Sequence, residues 1–178
     1  MLMPGRPAPA LSLPTLDGGR FDLASRSGWT LLVFYRGLHC PICADELAAL
    51  AGRLGEFEAL GASVLAISAD DEARAKAMRD KAGAEALPIA HSLPLTAARQ
   101  DWGLWISSAR EGSEEPALFA EPGHVIVAPD GAVWAAWVQS APFARPPVEG
   151  LLGALRFAVE KGYPPRGAFE GALPSEAA

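Results

Sequence analysis

Cysteine is nearly absent from this sequence: 178 residues hold two, Cys40 and Cys43. That excludes a disulfide-stapled scaffold. It also leaves a C-x-x-C pair without the two further ligands that a structural zinc site needs, since His91 and His124 each stand alone along the chain. Long hydrophobic runs are missing too. The longest reach about five residues, against the ~20 that cross a bilayer, so no membrane partner is expected. Basic charge is in deficit, with 15 Lys and Arg against 21 Asp and Glu for a net charge of −6. Nothing in that balance attracts a phosphate backbone, and nucleic acid is not an expected partner. Met1 to Arg6 lack a signal peptide's charged start and apolar stretch. With two thiols suited to a reducing compartment, the reading is a cytoplasmic protein.

The two cysteines that are present sit where their position changes their chemistry. Leu31-Leu32-Val33-Phe34-Tyr35 is an apolar run that reads as a strand buried on both faces, and Arg36-Gly37-Leu38-His39 is a breaker loop. From Glu46 onward Leu47, Leu50, Leu54 and Phe57 recur at helical spacing up to a stop at Gly61, which puts both thiols around a helix's first turn. Unpaired N–H groups and the positive end of the helix dipole favour a thiolate there. A cysteine pKa of ~8.5 falls to ~3.5–7.5 in such settings. Pro41 suits the helix start, where its missing N–H would have had no partner. Two thiols three residues apart can close a small ring and alternate between dithiol and disulfide.

The remaining pattern alternates strands and helices. Ala10 to Leu13 and Phe21 to Leu23 flank a polar turn and read as an N-terminal hairpin. Ser63 to Ser68 forms a second apolar strand, parallel to the first through a right-handed crossover. An alanine-rich helix from about Glu72 to Ala82 follows the capping types at Ser68 to Asp71. Leu87 to Ala90 is a short strand in which Pro88 argues for an edge or a strand beginning. Thr96 can cap a helical turn reaching Trp102, and Ser107 to Glu115 reads as a loop. Gly123 to Val127 and Ala132 to Val138 form a hairpin across Pro129-Asp130-Gly131, so the sheet is mixed. Pro146-Pro147 opens a last helix whose stripe is Val148, Leu151, Leu152, Leu155 and Val159. Trp102, Trp105, Trp134 and Trp137 read as core packing or a covered sheet edge. Residues 1–162 make one expected domain, and 163–178 a Pro- and Gly-containing tail expected to be disordered.

Phe34-Tyr35-Arg36-Gly37-Leu38-His39-Cys40-Pro41-Ile42-Cys43 with Glu46-Leu47 resembles the peroxiredoxin-like branch of the alkyl hydroperoxide reductase and thiol-specific antioxidant (AhpC/TSA) family, in the thioredoxin superfamily. Val125 to Gly131 and Arg145-Pro146-Pro147 before the closing helix look like the same branch's later strand, turn and last helix. The resemblance spans roughly Ala8 to Gly162. It implies an α/β thioredoxin fold, a central mixed sheet flanked by helices, with the N-terminal β-hairpin as an extension. It implies a thiol-dependent oxidoreductase that reduces hydroperoxides through a Cys40–Cys43 dithiol/disulfide cycle, regenerated by an external dithiol such as thioredoxin, without a metal or organic cofactor. Dimers are frequent in the family, so a homodimer is among the expected partners. The alternatives are a general thiol-disulfide oxidoreductase acting on protein or glutathione disulfides, and a non-enzymatic redox switch or partner-binding domain.

Thioredoxins attack with the first cysteine, here Cys40, left exposed. The peroxiredoxin spacing instead lays its proline, threonine and attacking cysteine on Arg36, Cys40 and Cys43. The attacking sulfur is therefore open. Arg36 brings a charge that could stabilise a thiolate, and His39 could pair with one and shift with pH. The second peroxiredoxin arginine would precede the later hairpin, where this sequence has Glu121-Pro122-Gly123. Pro122 is the candidate for the cis-proline that thioredoxins place against the active loop. Tyr35 closes the strand beneath that loop. Asp45 and Glu46 read as first-turn carboxylates suited to the dipole, either of which could accept a proton if partly buried.

Overall fold

The computed structural model describes residues 2–172. Two short strands, β1 (Ser12–Pro14) and β2 (Arg20–Asp22), pair antiparallel as the expected hairpin, and a 3-10 turn at Leu23–Ser25 leads away from it. Strand β3 (Trp29–Phe34) follows, then helices α1 (Pro41–Ala51) and α2 (Leu54–Ala59), strand β4 (Ala62–Ile67), helix α3 (Glu72–Ala82), strand β5 (Ile89–Ala90) and helix α4 (Leu95–Gln100). The chain continues through β6 (Ile106–Ser108), β7 (Leu118–Ala120), β8 (Gly123–Val127), β9 (Val133–Val138) and α5 (Val148–Lys161).

Five strands form one mixed sheet in the order β5-β4-β3-β8-β9. β4 runs parallel to both β3 and β5, while β8 runs antiparallel to β3 and to β9. This is the thioredoxin fold that the alternation of apolar strands and helices implies. β3 is central because both its faces are apolar. Leu31, Val33 and Tyr35 point into a core shared with α1, α2, α3 and α5. Leu32 and Phe34 point the other way, into a core closed by the N-terminal hairpin, Trp102 and Leu104. Pro88 precedes β5 at the sheet edge, where its missing N–H costs no ladder bond.

Several elements differ from expectation. The helix expected to run on to Gly61 is broken into α1 and α2 at Gly52 and Arg53. Arg53 leaves helical geometry and its guanidinium holds Glu56 and Glu149 instead, tying the break to α5. Helix α4 begins after Pro94 rather than on a Thr96 cap. The polar stretch 107–115 is partly strand, since Ser107 lies opposite Phe119 in a β6–β7 pair outside the main sheet. Trp102 is fully buried, but Trp105 is 60% exposed because it enters that outlying pair. In α5 the buried stripe is Leu151, Leu152, Leu155 and Ala158, with Val159 outside it. The tail was expected to be disordered; residues 173–178 lie outside the described residues, and the described part is mostly exposed but touches the same chain at two points. Tyr163 accepts a hydrogen bond from Trp134 Nε1 through its carbonyl, and Glu170 pairs with Arg6.

Leu47 lies in α1 directly beneath the active end and is wholly buried. Leu47→Ala should cost about 2–5 kcal/mol through lost transfer energy and the cavity left behind, read as a lower urea midpoint with an unchanged slope.

Candidate active site

The active loop connects β3 to α1, and its shape is set from below by Asp70 in the connection between β4 and α3. Asp70 accepts a 2.8 Å hydrogen bond from the Leu38 N–H and a 2.9 Å bond from Arg74 Nε. Gly37 is required here. Its φ is +132°, and a Cβ would sit 2.8 Å from Asp70 Oδ2. Cys40 then stands at the helix N-cap in extended conformation with Pro41 in the first turn, and its Sγ accepts the Cys43 N–H at 3.2 Å. The two cysteines form a disulfide, with Cα atoms 5.3 Å apart. Both sulfurs are enclosed: Cys40 is 1% and Cys43 0% exposed.

A third group reaches the sulfurs that residue-by-residue reading had not singled out. Arg145, in the segment between β9 and α5, has a side chain 6% exposed and places Nη2 3.0 Å from Cys43 Sγ and 3.7 Å from Cys40 Sγ. Its Nε donates to the Pro142 carbonyl at 2.6 Å, and Nη1 pairs with Glu46. The other Glu46 oxygen is 2.7 Å from His124 Nε2. Glu46 thus lies in the second turn of α1, since the helix begins at Pro41, and it is ion-paired rather than a first-turn partner of the dipole. Burial pushes its pKa up. The hydrogen bond from His124 and the charges of His124 and Arg145 outweigh burial and hold the carboxyl below its ordinary value. The only signal in the chain was an arginine set directly before the two prolines that open an amphipathic helix.

The other candidates sit around the loop without bonding to sulfur among the described contacts. Arg36 directs its guanidinium to Glu115 and Glu121, each at 3.1 Å, and lies over the Phe119 ring at 4.6 Å. It is neither free in solvent nor aimed at a thiolate. Hydrogen bonds from the Arg110 N–H and guanidinium hold the Glu115 pKa down at about 2. His39 packs against the same Phe119 ring, centroids 4.7 Å apart, with neither nitrogen hydrogen-bonded. Burial first, and then the Arg36 charge, push its pKa down, which favours the neutral ring over a cation paired with a thiolate. Pro122 is trans, as are all peptide bonds among the described residues, and its carbonyl accepts the Gln139 N–H at 3.0 Å. The Tyr35 hydroxyl is buried, and burial raises its pKa. Asp45 is exposed. His91 bonds Ser92 Oγ at 3.0 Å through Nδ1. No group of three or more metal-ligating side chains occurs among the described residues, and no helix of theirs is long and apolar enough to cross a membrane.

A family model described as the AhpC/TSA family matches residues 4–136. The chain belongs to the AhpC/TSA family. Two Mycobacterium tuberculosis sequences carrying the name peroxiredoxin are 35% identical to this AhpC/TSA member over 83 residues, 46% of this chain and 53% of theirs. The chain spans about half the length of the curated relatives it matches. Similar solved structures include a peroxiredoxin 6 of Arenicola marina, with TM-score 0.75 and 15% identity over 99% of this chain and 80% of that one. They also include the peroxidoxin BcpB of Mycobacterium tuberculosis, with TM-score 0.67 and 19% identity over 88% and 97% of the two chains. A third is the bacterioferritin comigratory protein of Xanthomonas campestris, with TM-score 0.65 and 24% identity over 84% and 92%. At these identities the likeness is one of fold. Arg145 lies beyond the stretch that the family model matches.

The lowered Glu46 pKa makes stability pH-dependent. Its contribution is complete above the ordinary carboxyl value of 4.5 and is lost as pH falls through the lower folded-state value. Urea midpoints measured from pH 6 downward should drop more steeply below about 4.5 in the native protein than in Glu46→Gln, and parallel curves would contradict the assignment.

Proposed function

We propose that this AhpC/TSA member is a thiol peroxidase that reduces hydroperoxides and cycles between a Cys40–Cys43 dithiol and disulfide. The observation that carries this reading is the Arg145 guanidinium in contact with both sulfurs at a helix N-terminus. A fixed cation there favours the thiolate and, as the O–O bond breaks, the negative charge that develops on the leaving oxygen. The nearer contact is to Cys43, which is also the position the family's spacing gives to the attacking cysteine. Cys43 as thiolate attacks the terminal peroxide oxygen, the O–O bond breaks, and the alkoxide or hydroxide leaves and takes up a proton. Cys43 becomes a sulfenic acid. Cys40, whose sulfur receives the Cys43 N–H, then attacks the sulfenic sulfur, a disulfide forms and water leaves. An external dithiol such as thioredoxin returns the pair to the reduced state by exchange.

We place the protein in the cytoplasm, where a reducing pool can serve the cycle. A second copy is the further partner we propose, because β9 is an edge of the sheet and carries Trp134 and Trp137.

Stopped-flow oxidation of the reduced protein by hydrogen peroxide and an organic hydroperoxide, followed by Trp fluorescence, tests the reading. Oxidation far faster than a free thiol's, ending in a Cys40–Cys43 disulfide by mass, is expected. Cys40→Ser should keep one fast turnover to a sulfenic acid, whereas Cys43→Ser should lose it, and neither should sustain dithiol-dependent turnover. Arg145→Ala should slow oxidation about 10²–10³-fold, the usual loss for one donor aimed at developing charge. A native rate like that of an ordinary low-pKa thiol would instead favour disulfide exchange or sensing.

A further inference from the structure

His124 has no part in the chemistry just described, yet its placement is unusual. It is the second residue of β8, paired across the sheet with Val33 and Trp137, and it is 0% exposed. Its Nδ1 is buried without a hydrogen-bond partner, which costs free energy in a site closed to water. An apolar residue would pack there without that cost. Among the described residues, the bond to Glu46 through Nε2 is the ring's one polar contact.

Glu46 has two oxygens and two cationic or donor neighbours. One oxygen takes His124 and the other takes Arg145. Rotation of the carboxylate about its last torsion is broad when nothing holds it, and a free carboxylate would let the guanidinium follow. The His124 ring is wholly buried and is carried by a strand paired on both sides within the central sheet, so its packing restrains it. Arg145 arrives on a connecting segment, held otherwise by the Pro142 carbonyl in that same segment. Its alignment with the sulfurs therefore depends on an anchor outside the segment, and the chain of contacts leads from β8 through α1 to the disulfide.

We propose that His124 is a positioning residue that locks the Glu46 carboxylate and, through it, aims the Arg145 guanidinium at Cys43 and Cys40. This sets how strongly the reduced site favours a thiolate. It deepens the peroxidase reading by naming what tunes the nucleophile, but its test needs no peroxide.

The test is a pH titration of thiolate absorbance in the reduced full chain, for the native protein, His124→Gln, Arg145→Ala and the double variant. His124→Gln should raise the lower thiolate pKa by about 1, the loss expected when an opposite charge is no longer held close. Arg145→Ala should raise it at least as far, and the double variant no further than Arg145→Ala alone. An unchanged pKa in His124→Gln overturns the proposal. So does a His124→Gln effect that persists in full without Arg145, since that would be a direct influence of the ring on the thiol. Should His124→Gln not fold, Glu46→Gln breaks the same chain at its middle link. Removing the carboxylate charge alone would lower the thiolate pKa, so a rise reports displacement of Arg145, and a native or lower value overturns the proposal. Slow peroxide oxidation of the native protein would sink the peroxidase reading while leaving this titration to stand or fall by itself.

Discussion

Everything at the active end depends on one buried cation. Arg145 is almost fully enclosed, and a guanidinium in that position is tolerable only when its donors are satisfied and its charge is balanced. The Pro142 carbonyl, the Glu46 carboxylate and the two sulfurs do this together. The same contacts therefore have two consequences. They bring the β9–α5 connection down onto α1, and they place a permanent positive charge where a thiolate would form. Fold and the charge at the sulfurs share one set of bonds, and a change to any partner of Arg145 bears on both.

A second layer of charge surrounds the loop without touching the sulfurs. Arg36 is neutralised by Glu115 and Glu121, and Asp70 is answered by the Leu38 N–H and Arg74. Each carboxylate near the loop thus has a cation or backbone donor of its own. The field at the cysteines is left to Arg145 and the helix N-terminus. His39, pressed against Phe119 beside Arg36, is favoured in its neutral form and adds no charge to that field. The outlying β6–β7 pair supplies Phe119 and borders Glu121, so its place is structural support for the loop's outer wall.

Much of this was legible in the chain because the signals are local. An apolar run, a breaker loop and helical spacing after Cys40 place two thiols at a helix start, and each step needs only near neighbours. Where local signals were weak, the reading slipped. Gly52 and Arg53 break a helix whose apolar spacing continues across them, because Arg53 finds partners in Glu56 and Glu149. Ser107 joins a strand although its neighbours are polar, because Phe119 lies across from it. Pro122 was a candidate for contact with the active loop by resemblance to thioredoxins; it is trans and its carbonyl is engaged by Gln139.

The sequence by itself determined the mixed α/β fold and the dithiol at a helix N-terminus, since hydrophobic period, turn residues and C-x-x-C spacing act over a few residues. Tertiary structure alone decided which cation serves the thiols. Arg36 is four residues from Cys40 and turns away to two carboxylates, while Arg145 is 105 residues away and lies against both sulfurs. The reason is physical: proximity along the chain sets what a side chain could reach, but a buried charge goes where its partners are, and Glu46 meets His124 and Arg145 only after the sheet has formed.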